Sequence, residues 1–285
     1  EKLETAPERI AEMKIGNREF DVNNDTYVMG ILNVTPDSFS DGGKFNNLEA
    51  ALAHTEEMIK EGATIIDVGG ESTRPGYTGY TLISDEEEIG RVVPVIRAIK
   101  EKFDIPVSID TYKSKVAKAA IAAGADLVND IWGLKYDKNM AKVIADAGVA
   151  CCLMHNRDNM EYTSFMDDML ADLRETIQLA KEAGIADDKI MLDPGVGFAK
   201  SYENNLEAIQ KVGRLHELGY PVLLGTSRKS VIGLTLDTTK DERVEGTLVT
   251  TVFGVQQGCA FVRVHDVKEN MRAIRMTQAI CRKQS

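Results

Sequence analysis

The run FVRVHD at residues 261–266 sets an arginine and a histidine among strand-forming residues. Side chains alternate along a strand, so Phe261, Arg263 and His265 share one face and Val262 and Val264 the other. A guanidinium within a buried strand is costly unless something anionic meets it. Either a carboxylate of this chain or a ligand must therefore neutralise Arg263. His265 offers a second donor, and Asn33 in GILNV an oxygen or an amide. Together they suit phosphate oxygens, with Asn33 also able to face a metal. A second group, Asp110, Asn129, Asp193 and Lys229, suits a flat, nitrogen-rich heterocycle. A carboxylate pairs two-point with an amino group and the ring N–H beside it, Asn both donates and accepts, and Lys donates to a carbonyl or ring nitrogen. Ile131, Met154 and Phe198 would be the apolar walls.

Eight short β-rich runs carry these residues, at 27–34, 64–70, 106–111, 127–130, 149–155, 190–195, 221–227 and 258–265. Helical stretches with apolar residues at 3.6 spacing lie between them, and several end in glycine: Gly62, Gly124, Gly148, Gly184 and Gly219. Ser84 and Glu87 fit a capping box, and a last helix is expected over 267–282. This order predicts an α/β fold, a closed (β/α)8 TIM barrel with a short N-terminal hairpin extension at 13–22 turning at Gly16 and Asn17. An open doubly wound sheet competes, but no glycine-rich dinucleotide fingerprint follows the first run. The chain reads as one domain, with residues 1–26 an extension covering the barrel bottom and 27–285 the barrel.

Active sites of such barrels lie at the C-terminal ends of the strands, where a buried parallel strand would otherwise be apolar. The polar exceptions fall there: Asn33, Asp67, Asp110, Asn129, His155, Asp193, and Arg263 with His265. Closure makes the first and eighth strands neighbours, so Asn33 is expected beside Arg263 and His265. Asp67 either supports the site or makes a structural hydrogen bond. The segments TPDSFSDGGKFNN (35–47) and ESTRPGYTGYTLIS (71–84) are long for βα connections and suit mobile covers over the mouth.

A net charge of −11 and a pI near 5.0 argue against nucleic-acid or anionic-membrane partners. An anionic ligand would need local positive residues to overcome that field. The absence of an 18-residue apolar run and the lack of disulfide spacing among Cys151, Cys152, Cys259 and Cys281 point to a reducing cytoplasm.

The motifs GILNVTPDSFSDGG, DVGGESTRPG, VSIDT, LVNDI, MLDPGVGF, GTSRKS and RVHD, in this order, resemble the dihydropteroate synthases of the pterin-binding barrel family. The resemblance spans most of residues 27–266. It implies a Mg2+-dependent transferase of folate synthesis, in which p-aminobenzoate displaces diphosphate from (7,8-dihydropterin-6-yl)methyl diphosphate. By its pattern Asp110, Asn129, Ile131, Met154, Asp193, Phe198, Gly225 and Lys229 hold the pterin. Asn33, Thr73, Arg263 and His265 lie near the diphosphate, with Asn33 also the Mg2+ position, and Phe39, Pro75 and Ser230 near p-aminobenzoate, which sulfonamides mimic. Asp41, Lys229 and Arg263 are the expected catalytic residues, Asp41 steadying a developing cation in a loose, SN1-like substitution. A homodimer through the later helices, 242–257 or 267–282, is also implied.

Other readings remain open at this level. Arg263 and His265 could pair with Asp266 or Glu71 instead, and Asp110, Asn129 or Asp193 could cap helices. Lys229 could form a Schiff base. Cys151 and His155, four strand residues and about 13 Å apart, are too distant to share a metal. A pterin-binding methyltransferase needs no diphosphate pocket, so Arg263, His265 and the 35–47 segment count against it. A non-catalytic pterin binder would have no use for that long segment.

Overall fold

The computed structural model describes residues 7–35, 44–71 and 82–281. Its first element is a hairpin, β1 (Glu12–Ile15) paired antiparallel with β2 (Arg18–Asp21). Gly16 turns it at φ 61°, a left-handed conformation that glycine adopts without steric cost.

Eight parallel strands follow among the described residues: β3 (Tyr27–Asn33), β4 (Ala63–Gly69), β5 (Val107–Asp110), β6 (Leu127–Asp130), β7 (Ala150–Met154), β8 (Ile190–Asp193), β9 (Leu223–Leu224) and β10 (Phe261–Val264). Their order is β8-β7-β6-β5-β4-β3-β10-β9, and a bridge between Leu192 and Val222 joins the two ends, closing the barrel. The outer ring comprises α1 (Lys44–Glu61), α2 (Asp85–Lys102), α3 (Ser114–Ala122), α4 (Met140–Ala147), α5 (Phe165–Glu182), α6 (Tyr202–Gln210), α7 (Ser230–Leu236), α8 (Val244–Gln256) and α9 (Val267–Cys281). The expected (β/α)8 architecture is thus present, with α7 and α8 both between β9 and β10.

Strand alternation splits the apolar residues into two layers. Outward residues such as Val28, Leu32, Ile66 and Val68 pack with Val92, Ile96 and Ile99 of α2 in the layer between strands and helices. Inward residues low in the barrel, Met29, Ile65, Leu127, Met191 and Phe261, meet Met13, Ile15 and Phe20 of the hairpin. Phe20 is fully buried, edge-on to Tyr27 at 4.8 Å and to Phe261 at 5.4 Å. The hairpin therefore plugs the barrel bottom, and each large side chain buried there contributes about 1.5–3 kcal/mol. One step higher the inward positions turn polar, as Ile65 gives way to Asp67 on β4 and Phe261 to Arg263 on β10.

The expected glycine caps all have positive φ; Gly148 closes α4 in the left-handed region at 65°. Three local expectations change. The run 221–227 narrows to β9 because the chain turns at Thr226, whose carbonyl takes the Lys229 N–H. Lys44–Asn47 belong to α1, not to a connection. At Ser84 only half the capping box forms: Ser84 Oγ accepts from Glu87 N at 3.1 Å, while the Glu87 carboxylate pairs with Arg91. No helix of the described residues is long and apolar enough to cross a membrane.

Candidate active site

Arg263 projects into the barrel from β10, and its charge is met within the chain. Its Nε donates to Asp67 Oδ2 at 2.6 Å and its Nη2 to Asp110 Oδ2 at 2.9 Å. The partners considered from sequence, Asp266 and Glu71, are engaged elsewhere. Asp266 takes a two-point fork from Arg228, at 3.0 and 2.6 Å, and Glu71 holds Lys113 at 2.7 Å. Those carboxylates belong to other elements, whereas Asp67 and Asp110 face the barrel axis from neighbouring strands β4 and β5. Burial works against the Arg263 charge, but Asp67 and Asp110 outweigh it and hold the guanidinium above its ordinary value.

Asp67 is fully buried and also accepts from Asn129 Nδ2 at 3.1 Å, so one carboxylate orients both Arg263 and Asn129. Its supporting and structural roles are the same role. Burial pushes Asp110 up to about 7, with Arg263 opposing and Asp67 adding repulsion. Asp110 Oδ1 is buried without a hydrogen-bond partner among the described residues, the situation of an acceptor built for a ligand N–H.

Asp193 ends β8, 5% exposed, with Oδ1 taking the Gly195 N–H at 2.7 Å. Burial raises its pKa against the pull of Lys229. Lys229 Nζ donates to the Val196 carbonyl at 2.6 Å and stands 5.2 Å from the centre of the Phe198 ring. Burial lowers Lys229 to about 8 although Asp193 favours its charge. At Gly225 an added Cβ would lie 3.8 Å from Asp193 Oδ2 and Lys229 Nζ and 3.9 Å from Arg263 Cβ, so glycine keeps open the space these three groups face. None of Asp110, Asn129 and Asp193 caps a helix: the N-caps of α3 and α6 are Lys113 and Ser201.

These groups line one cavity of about 280 Å³ at the C-terminal mouth of the barrel. Ile131, Met154 and Phe198 form an apolar wall with Tyr112, backed by Trp132. Asn33, His265 and Ser230 open onto the same cavity, so Asn33, Arg263 and His265 share one site, as barrel closure predicts. Ser227 holds His265, through Oγ to Nδ1 at 2.8 Å and from the His265 N–H at 3.1 Å. Phe39, Asp41, Thr73 and Pro75 lie outside the described residues.

Arg228, Lys229, Lys240, Arg243 and Arg263 line the cavity, together with Glu71, Asp110 and Asp193. Arg263 and Arg228 are already matched by Asp67 and Asp266, so the mouth places cationic donors locally on a chain of net charge −11 without a large excess of either sign. Lys240 and Arg243 come from the segment between α7 and α8, far in sequence from any strand end, and no spacing signal marked them. Among the described residues no group of three or more His, Cys, Asp or Glu side chains could hold a metal by itself.

Residues 29–265 match the family model described as pterin binding enzyme. A Clostridium beijerinckii protein named dihydropteroate synthase is 64% identical over 272 residues, covering 95% of this chain and all of its own length. A dihydropteroate synthase structure from Clostridium difficile, determined in the presence of pteroic acid, superposes with a TM-score of 0.89 at 52% identity, covering 93% of this chain and 100% of that one. A Yersinia pestis dihydropteroate synthase in complex with a sulfonamide drug superposes at 0.87 with 40% identity, covering 94% and 98%. With the barrel, the polar strand ends and the family match over 29–265 in agreement, the chain belongs to the pterin binding enzyme family.

Proposed function

We propose that this chain acts as a dihydropteroate synthase, joining p-aminobenzoate to the methylene carbon of (7,8-dihydropterin-6-yl)methyl diphosphate. The observation that carries this reading is the convergence of Asp110, Asn129, Asp193 and Lys229 on a cavity that also holds Asn33, Arg263 and His265. One half of that set suits a pterin edge and the other an anionic leaving group, and a relative named for this activity aligns with 95% of this chain and all of its own length.

In this reading Asp193 accepts from the pterin amino group and adjacent ring N–H, Asn129 both donates and accepts, and Lys229 donates to the ring oxygen or nitrogen. Ile131, Met154 and Phe198 cover the ring faces. The methylene C–O bond breaks as diphosphate leaves, and the electron-rich pterin delocalises the positive charge left behind. The aniline nitrogen then forms the new C–N bond and loses a proton. No protein nucleophile is needed. Arg263 and His265 stabilise the departing charge, and a preorganised contact of this kind is worth roughly 3 kcal/mol. Asp67 contributes by holding Arg263 in place.

Mg2+ is part of the proposal. Asn33 lines the cavity and would offer a neutral oxygen ligand, and the donor set fits a cation carried largely by substrate oxygens and water, not a protein cage. Bound there, Mg2+ would neutralise diphosphate oxygens.

Sulfonamides are expected to compete with p-aminobenzoate, since the drug-bound Yersinia pestis enzyme shares this fold at 40% identity. A homodimer is supported by an apolar face on the late helices: Val249 and Phe253 on α8 and Met276 and Ile280 on α9 are 43–70% exposed, each pair at i, i+4 spacing. A cytoplasmic location goes with this reading, because four free thiols, three of them buried, suit a reducing compartment.

The test is turnover. The protein is mixed with Mg2+, p-aminobenzoate and the dihydropterin diphosphate, and diphosphate release and dihydropteroate are followed by mass spectrometry. Product at a steady rate supports the reading. Tight pterin binding without product would favour a methyltransferase or a silent binder.

A further inference from the structure

Behind the pterin side of the cavity lies a buried polar cluster that the proposed chemistry does not use. Lys200, 7% exposed, points its ammonium into the fold of its own loop, donating to the Phe198 carbonyl at 2.9 Å. It also contacts His155 Nδ1 at 2.9 Å. His155 is 2% exposed, and its Nε2 lies 2.8 Å from Asp172 Oδ2, which Arg157 Nε reaches at 2.6 Å. An ammonium has only donors, so Nδ1 must accept and Nε2 must carry the proton toward Asp172. Donation therefore converges on Asp172, from Arg157 on one side and from Lys200 through His155 on the other, while Lys200 also donates to the loop.

Backbone preference alone does not fix that loop, since its glycines are free to adopt many conformations and Ala199 sits in the left-handed region that L side chains disfavour. Gly195, Gly197 and Ala199 all have positive φ, and a Cβ at Gly195 would meet the His155 carbonyl at 2.0 Å. Gly197 N donates to Asn205 Oδ1 and Tyr162 Oη to the Ala199 carbonyl, each at 2.7 Å. Lys200 gathers the middle of the turn. Lys200 meets this loop at the Phe198 carbonyl, and the same loop carries the two groups that contact Lys229, the Val196 carbonyl and the Phe198 ring. We propose that Lys200 is a positioning residue of the pterin subsite: seated on His155, its amine fixes the 195–199 turn so that Val196 and Phe198 set Lys229 against the heterocycle. Charged or neutral, the amine keeps two N–H donors for its two acceptors, so burial, which lowers it to about 7, does not undo the arrangement.

The inference rests on the pterin reading, and its test separates the two. Binding of 6-hydroxymethyl-7,8-dihydropterin is followed by calorimetry for the unaltered protein and Lys200→Met, and steady-state constants are measured for both substrates. Lys200→Met is expected to weaken pterin binding and raise KM for the dihydropterin diphosphate at least tenfold. The KM for p-aminobenzoate should stay within twofold and kcat within threefold, because Lys200 is not assigned to any reacting atom. A merely structural role would lower the folded fraction, and kcat with it, while leaving KM unchanged; that pattern, or unaltered pterin binding, overturns the proposal. If Lys200→Met fails to fold, Lys200→Gln, one bond shorter and still an N–H donor, is expected to give the same split at smaller size, and no split overturns it. If the unaltered protein does not bind the pterin, the functional reading itself fails.

Discussion

Arg263 Nε lies 2.6 Å from Asp67 Oδ2, across the barrel interior from β10 to β4, and the same carboxylate oxygen takes the Asn129 amide. A guanidinium for the leaving group and a carboxamide for the heterocycle thus share one anchor. The two halves of the site are mechanically joined at Asp67.

Removing Arg263 therefore removes more than a phosphate contact. Arg263→Ala is expected to lower kcat/KM more than a hundredfold, consistent with about 3 kcal/mol of transition-state stabilisation. It should also lower the melting temperature, because Asp67 and Asp110 lose a buried counter-charge. Steady-state kinetics beside a thermal melt checks both, and a near-normal rate would remove Arg263 from the mechanism.

Asp193→Asn keeps the shape of the pterin side and deletes its charge. Pterin affinity should fall at least about tenfold, the scale of one hydrogen bond to a charged group. Trp132, the sole tryptophan, packs against the wall formed by Ile131, Met154 and Phe198, so its fluorescence is a direct reporter. Equal quenching curves for the two proteins would place the pterin elsewhere.

His155 contributes stability that is lost on mild acidification. Burial is the first cause that lowers it, from 6.5 to about 4, with the Asp172 hydrogen bond opposing. Between those values the unfolded chain binds more protons than the folded one, so stability rises with pH through this window and is lost as pH falls toward 4. The full effect is on the order of 3 kcal/mol. His155→Gln does not titrate, so the difference in unfolding free energy between the two proteins, measured by denaturant, should shrink as pH falls from 6.5 to 4, the opposing slope from Asp110 being common to both.

Phe253→Asp introduces a charge on a residue 43% exposed and facing away from the barrel. Sedimentation velocity should show a dimer become a monomer with an unchanged far-ultraviolet circular dichroism spectrum. A monomer in both proteins would withdraw the assembly.

At the opposite end of the barrel, Phe20→Ala should cost about 3–5 kcal/mol by denaturant unfolding while KM for both substrates stays within twofold. Phe20 is packed against Tyr27 and Phe261, with the polar layer and the cavity above it.

The eight β-runs, the hairpin and the glycine caps were legible because each is written in local chemistry: alternation, 3.6 periodicity, and residues tolerant of positive φ. The polar strand ends were legible for a related reason, since a parallel strand buried on both faces has no local use for Asp110, Asn129 or Asp193. Strand order then follows from barrel closure, which alone brings Asn33 to Arg263 and His265. Pairing was not legible. Whether Arg263 meets Asp67, Glu71 or Asp266 depends on which carboxylate faces the axis at its height, and only the strand register decides that. The same holds for Lys240 and Arg243, delivered to the cavity by a helix connection, and for Lys200, whose histidine partner is 45 residues away. Residue type and local spacing determined the barrel, its polar mouth and the class of ligand it suits. The tertiary structure decided which charges neutralise one another, because electrostatic partners are chosen by distances of a few ångströms across elements that the sequence keeps far apart.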